Sequence, residues 1–221
     1  MIVDVAAALL WVVVTIYALT GGADFGGGVW DLLAGGDRRG ATPRQFIDRS
    51  IAPIWEANHV WLVIILVVLW TGFPPAFGAI MTTLFVPLSI AAFGVILRGC
   101  GFAFRATSST LRYRRLSGAL FASSSLITPF FFGTAAGAVV TGKVHAVVHG
   151  TDFSAWTTPT ALTLGALADV AFAYLAAVYL TSDAERHAPA LAKYFRHRAL
   201  VSGALAGLLA GLALYELDQS A

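Results

Sequence analysis

Six long apolar stretches alternate with short polar segments along the 221 residues of this chain. Each stretch has about 18 to 25 residues with no Lys or Arg in its interior, enough to cross a hydrocarbon core of about 30 Å as an α-helix. The pattern predicts an all-α fold, a polytopic bundle that forms one transmembrane domain over residues 1–221. The predicted helices are residues 3–27, 51–72, 77–97, 117–141, 158–181 and 199–216.

Basic residues are concentrated in alternate connections between these stretches. The connections with several Arg or Lys are residues 35–50, 98–116 and 182–198. The two connections between them, residues 72–75 and 142–157, carry only Lys143. Because basic segments remain on the cytoplasmic side, the alternation predicts that both termini lie outside. The N-terminus lacks the basic residues of a signal peptide, so we expect the first stretch to be retained as a helix.

The composition supports a membrane protein and excludes several other classes. Hydrophobic residues make up 58% of the chain and charged residues 12%, whereas a soluble domain carries about 25% charged residues. The net charge of +2 is too small to indicate nucleic-acid binding. The single cysteine, Cys100, excludes an intramolecular disulfide and is expected to pack as a small apolar residue.

Three acidic residues fall inside the predicted helices: Asp24, Glu56 and Asp169. No Lys or Arg lies within the apolar stretches to neutralise them, so each is a candidate for proton transfer. The alternative is that each caps a helix end or binds a backbone amide. Glycines at 26–28 follow Asp24, and we expect them to mark a bend or the point where the helix leaves the membrane.

The segment 51–62 concentrates polar and aromatic residues at the start of the second predicted helix. Pro53 is expected in the first helical turn, where a missing N–H costs little. Glu56 and His59 are three residues apart, so they share a helix face and can relay a proton. The supporting candidates in this segment are Trp55, Asn58 and Trp61. Beyond it, Arg98 anchors its helix at the membrane surface, reaches back toward Asp24 or Glu56, or contacts a partner subunit.

The sequence predicts no metal or haem ligated by this chain. A di-iron bundle site needs two Glu-x-x-His motifs and two further glutamates, more than the three glutamates present. His59 is the one histidine expected at membrane depth, which leaves no intrachain pair for a bis-histidine haem. His145 and His149 have the spacing of a metal pair but lack a third ligand, and a solvated turn is the favoured interpretation.

Four motifs together resemble subunit II of cytochrome bd-type quinol oxidases, in order and spacing as well as in residues. They are GGADFGGG at 21–28, APIWEANHVWL at 52–62, FPPAF at 73–77 and LRGCGFAFR at 97–105. The resemblance covers most of the chain and is densest over residues 17–105. Asp24 matches the aspartate of the glycine-rich motif, and Glu56 matches the acidic position that follows Trp in the second motif.

The resemblance implies a bacterial inner-membrane subunit of a respiratory quinol oxidase. A partner subunit I would hold haem b and haem d, oxidise quinol from the quinone pool and reduce oxygen to water, with membrane lipid around both chains. Subunit II would ligate no haem and would help to deliver cytoplasmic protons through Asp24 and Glu56. Gly21 stands where some family members carry a second acid, and Asp169 matches no motif of the family.

The chain is shorter than the family it resembles, and two other functions remain possible interpretations of the same residues. The family usually has eight transmembrane helices against the six predicted here, so the chain is a short form, a truncated product or one half of a split gene. A proton channel or secondary transporter using the same acids is the first rival function, although the internal repeats typical of many transporters are not seen. A passive scaffold without a proton role is the second.

Overall fold

The computed structural model describes residues 2–36, 40–107, 111–145 and 150–220, with side chains except at 55, 56, 102–107, 111–117 and 220. Over these residues the backbone is helical with short turns and contains no strand, which confirms the all-α prediction. The helices are α1 (Ile2–Leu32), α2 (Ala41–Gly72), α3 (Pro74–Thr83), α4 (Phe85–Thr107), α5 (Leu111–Val140), α6 (Phe153–Trp156), α7 (Pro159–His187) and α8 (Pro189–Ser220).

In the described part of the chain, four unbroken helices are long and apolar enough to cross a membrane. Two further crossings result if each of two bent helix pairs is counted as one span. The described residues therefore contain four to six candidate spans, a range that includes the six predicted. The outside position of both termini stays a prediction. The four unbroken spans are Ile2–Leu32, Gly118–Val140, Pro159–His187 and Pro189–Gln219.

The second helix begins earlier than predicted and contains Pro53 in its interior. Because α2 starts at Ala41, the prediction of Pro53 in the first turn is wrong. An interior proline removes one backbone hydrogen bond and pushes against the preceding turn. The axis of α2 accordingly changes direction by 43° between its parts Ala41–Ile54 and Ala57–Gly72.

The predicted third helix, residues 77–97, is divided in the structure. α3 and α4 meet at Leu84 with a bend of 88° between them. Pro87 has no N–H to donate to the carbonyl of Thr83, and that carbonyl instead accepts the N–H of Asp152 at 3.1 Å. The helix therefore breaks where a proline removes one of its hydrogen bonds and a loop replaces it.

The first helix continues through its glycines, so the predicted bend at residues 26–28 is wrong, and the alternative that the helix leaves the membrane there stays a prediction. α1 runs unbroken to Leu32 because the glycines serve close packing rather than a turn. A Cβ on Gly26 would overlap the carbonyl of Phe172 on α7, and a Cβ on Gly27 would lie 2.9 Å from Ile51 on α2. Because Gly26 and Gly27 have no side chains, α1 can approach α7 and α2 closely.

A hydrophobic core ties α1, α2, α7 and α8 together near the ends that carry the α1–α2 and α7–α8 connections. Ile47, Leu180 and Phe195 are buried in this cluster. The indole Nε1 of Trp30 donates to the carbonyl of Ala173 at 2.7 Å, which satisfies its polar atom inside the core. We call this end of the molecule, residues 28–51 and 180–199, the basic end.

Candidate functional site around Asp24 and Arg98

A buried ion pair joins α1 to α4. Asp24 is 1% exposed and Arg98 is fully buried. Arg98 Nη2 lies 2.6 Å from Asp24 Oδ1, and Arg98 Nε donates to the same oxygen at 3.2 Å. Nη2 also donates to the backbone carbonyl of Asp24 at 2.6 Å. Asp24 lies eight residues before the end of α1, so the pair is about 12 Å inside the helix end.

The remaining surface of the guanidinium is also occupied. Arg98 Nη1 donates to Ser125 Oγ on α5, and Ser125 Oγ donates to the carbonyl of Phe121 at 2.6 Å. The Arg98 guanidinium lies 4.8 Å from the ring centroid of Phe25 and 4.2 Å from that of Phe121. Aromatic faces attract a cation, so the charge is held by α1, α4 and α5 together.

This geometry corrects the expectation that no cation accompanies the intramembrane acids. α4 continues to Thr107, so Arg98 belongs to a helix and not to a connection. Its side chain turns into the bundle and reaches Asp24, which is one of the interpretations left open for it. The other predicted contact is with Glu56, whose side chain lies outside the described residues.

The second carboxylate oxygen of Asp24 faces α2. Asn58 is buried, and its Nδ2 donates to Asp24 Oδ2 at 3.4 Å. The Oγ1 of Thr20 lies 3.2 Å from Asn58 Oδ1 and also donates to the carbonyl of Ile16 at 2.9 Å. Arg98 thus holds Oδ1 at short range, whereas Oδ2 has only a long contact with Asn58 among the residues whose side chains are described.

Glycines of α1 make room for this cluster. A Cβ on Gly28 would overlap Ser125 Oγ and lie 3.0 Å from Arg98 Nη1. A Cβ on Gly21 would lie 3.2 Å from Asn58 Oδ1. The glycine-rich motif is therefore explained by the neighbours of Asp24: an arginine on one side and an asparagine on the other.

The other predicted residues of α2 are only partly described. The side chains of Trp55 and Glu56 lie outside the described residues. His59 and Trp61 are half-buried. Asn58, a supporting candidate in the prediction, is the residue of this segment that contacts Asp24. The roles of Glu56 and His59 in proton transfer stay predictions.

Asp169 stands apart from the ion pair. It lies mid-way along α7 and is half-buried, and its buried Oδ1 has no hydrogen-bond partner among the described residues. One turn further on, Phe172 packs against Gly22 and Gly26 of α1. Within the described part of the chain no hydrogen bond links Asp169 to Asp24.

Two polar clusters of the basic end were missed by the sequence analysis. Asp31, two turns after Asp24 on α1, is 3% exposed and lies 3.4 Å from Arg44 Nε. Asp183 accepts a hydrogen bond from Ser50 Oγ at 2.6 Å, and its other oxygen lies 2.9 Å from His187 Nδ1. The seven-residue spacing of Asp24 and Asp31 and the i, i+4 spacing of Asp183 and His187 were the available signals.

The described residues offer no group of three His, Cys, Asp or Glu side chains that could hold a metal ion. His145 is exposed, and His149, its predicted partner in a metal pair, lies outside the described residues. Cys100 is exposed, so the prediction that it packs inside the protein is wrong.

Comparison with known proteins shows which family this chain resembles. The model of the family described as cytochrome bd terminal oxidase subunit II matches residues 2–217. The chain is 27% identical over 143 residues to cytochrome bd-I ubiquinol oxidase subunit 2 of Escherichia coli K12, covering 63% of this chain and 37% of that protein. It is 32% identical over 113 residues to a putative cytochrome bd menaquinol oxidase subunit II of Bacillus subtilis, covering 49% of this chain and 32% of that protein.

A solved structure agrees with these matches. A chain of the bd oxidase from Geobacillus thermodenitrificans superimposes with a TM-score of 0.79 at 25% identity. The alignment covers 99% of this chain and 67% of that chain. The fold therefore matches along nearly all of the present chain, while the curated relatives it matches are more than twice as long as the aligned part.

Proposed function

This chain belongs to the family of cytochrome bd terminal oxidase subunit II, and we propose that it serves as the non-haem subunit of a quinol:oxygen oxidoreductase. Family membership and several apolar helices make it a multi-pass protein of the bacterial inner membrane. In the proposal, a partner subunit I carries haem b and haem d and oxidises quinol. The present chain supports that subunit and helps to deliver protons for the reduction of oxygen.

The observation that carries the proton role is the unequal use of the two Asp24 oxygens. Oδ1 is bound by Arg98 at 2.6 Å, and the arginine stays protonated, so this oxygen stays engaged. Oδ2 has the 3.4 Å contact with Asn58 and is the oxygen of Asp24 that faces α2. In the proposal a proton reaches Oδ2 and leaves from it while Oδ1 keeps its contact with Arg98.

The α2 segment that supplies Asn58 also carries Glu56 and His59. Glu56 precedes Asn58 by two residues and His59 follows it directly, so all three lie within one turn of α2. A carboxylic acid and an imidazole are the side chains best suited to pass protons near neutral pH. We therefore assign Glu56 and His59, together with Asp24, to the proposed path. Trp55 and Trp61 are assigned supporting roles.

The partnership is tested by purification of the tagged chain in mild detergent. The proposal expects a large second subunit to co-purify and haem b and haem d bands to appear in the reduced-minus-oxidised spectrum. In the proposal any haem present belongs to the partner subunit. A colourless single protein would contradict the proposal. Proton flux by that single protein in liposomes would instead favour the channel.

The proton role is tested by the substitution Glu56→Gln, which keeps the size of the side chain and removes its titration. We expect oxygen consumption per haem d to fall at least about tenfold with haem content unchanged, because a proton-transfer group contributes a hundredfold or more. The matched control is Asp218→Asn, which removes an exposed carboxylate near the end of α8. Turnover equal to that of the unsubstituted protein would remove Glu56 from the path.

A further inference from the structure

A groove of about 680 Å³ runs along the surface between α7 and α8. Its walls are mostly apolar, with Tyr174 and Val178 on the α7 side and Leu200 on the α8 side. Tyr174, Val178 and Leu200 are 40%, 44% and 67% exposed, so their apolar surfaces face whatever fills the groove. Gly203 forms part of the floor, where a Cβ would lie 3.0 Å from the ring of Tyr174.

Two opposite charges line the groove near the α7–α8 turn. Glu185 lies two residues before the end of α7, and Arg196 lies in the second turn of α8. Both side chains are exposed, and neither forms an ion pair within the described part of the chain. The hydroxyl-bearing Ser182 and Thr181 line the same region. One end of the groove therefore offers an unpaired anion and an unpaired cation together.

The polar and apolar parts of the groove are separated along the helix axes. Tyr174 precedes Glu185 by eleven residues, or about 16 Å of helix, and Ala206 follows Arg196 by ten residues, or about 15 Å. The charges lie at the basic end, where the membrane surface is expected, and the apolar walls extend toward the membrane interior. This arrangement fits a molecule with a charged head and a long apolar tail.

We propose that the groove binds a phospholipid with a phosphoethanolamine headgroup. The phosphate contacts Arg196, the ammonium contacts Glu185, and one acyl chain lies along Tyr174 and Val178. Arginine binds phosphate through several N–H donors, and a carboxylate pairs with an ammonium group. Phosphatidylglycerol has no ammonium group to pair with Glu185, and a quinone carries no charge for either residue. This site is independent of the proposed proton path.

The test uses the full-length chain with its co-purifying subunits, reconstituted in nanodiscs of equal phosphatidylethanolamine and phosphatidylglycerol. After extraction into mild detergent and extensive washing, the retained lipids are counted by mass spectrometry. We expect about one phosphatidylethanolamine per chain to be retained. Arg196→Gln and Glu185→Gln should each lower its retention about fivefold, because each removes one charge contact near the membrane surface. Glu185→Gln should also shift retention toward phosphatidylglycerol.

Matched variants control for fold and general charge. Lys193→Gln removes a neighbouring exposed cation outside the groove and should leave retention unchanged. Arg196→Lys and Glu185→Asp keep the charges and should restore most of the binding, even if a neutral variant proves unstable. Equal retention in all variants, preferred retention of phosphatidylglycerol or quinone by the unsubstituted protein, or an equal loss in Lys193→Gln would each overturn the proposal.

Discussion

Asp24 and Asp169 are both aspartates within apolar helices, but their surroundings differ completely. Asp24 is buried on α1 with an arginine, an asparagine and two aromatic rings around the pair. Asp169 is half-buried on α7, and its Oδ1 has no hydrogen-bond partner in the described part of the chain. The energetic cost of placing a carboxylate in the membrane therefore does not by itself show that other side chains are arranged around it. The helices must also converge on the charge, as α1, α2, α4 and α5 do at Asp24.

The largest expected effect comes from breaking the Asp24–Arg98 pair. Removing one member, as in Arg98→Met or Asp24→Leu, leaves the other charge buried and should destabilise the protein by about 3–5 kcal/mol. The double variant leaves no buried charge and should be much less destabilised than the sum of the two. Thermal unfolding of the purified complex measures all four proteins. Additive losses would show that the two residues are not coupled.

The packing around the pair gives the next largest effect. Gly28→Ala places a methyl group against Ser125 and Arg98 and should cost about 1–3 kcal/mol, since overpacking forces neighbours to move. Gly207→Ala on α8 is the matched control, because a Cβ there meets nothing within 4 Å. The control should be neutral or slightly stabilising, as alanine favours helices over glycine. The same melting experiment, run on both variants, contradicts the packing account if their transitions shift equally.

Asp169→Asn should have the smallest effect. The carboxylate has a buried oxygen without a hydrogen bond, so replacing the charge by an amide of similar size should change stability by no more than about 1 kcal/mol. Oxygen consumption per haem d should also stay close to that of the unsubstituted protein. A loss of turnover as large as that expected for Glu56→Gln would place Asp169 in the proton path. The two aspartates would then no longer differ in function.

Much of the fold follows from local patterns in the sequence. The apolar stretches give the helical class and the number of candidate spans, because length and hydropathy are local properties. Helix ends were less well predicted: α2 starts ten residues before the predicted residue 51, and Leu84 divides residues 77–97. That break depends on Pro87 and on a hydrogen bond from Asp152, a residue far along the chain.

The members of the candidate site were predicted, and the contact of Arg98 with Asp24 was one of the alternatives, but the contact of Asn58 with Asp24 was not. Asp24, Asn58 and Arg98 were all selected, yet their contacts cross three helices and no spacing within one helix reveals them. The glycines of α1 were misread as a bend, because a glycine's role in close packing appears only when the neighbouring helix is known. Arg98 was placed outside the membrane interior because the hydropathy falls at its end of α4, where the helix itself continues.

The rate of proton uptake during oxygen reduction tests the central claim most directly. The reduced complex is mixed with oxygen in the presence of a pH-indicating dye, and proton uptake is followed beside the haem absorbance changes. The account predicts that Glu56→Gln slows proton uptake at least about tenfold while the first oxygen-binding step keeps its rate. Proton uptake as fast as in the unsubstituted complex, at equal haem content, would contradict the claim that this chain delivers protons through Glu56.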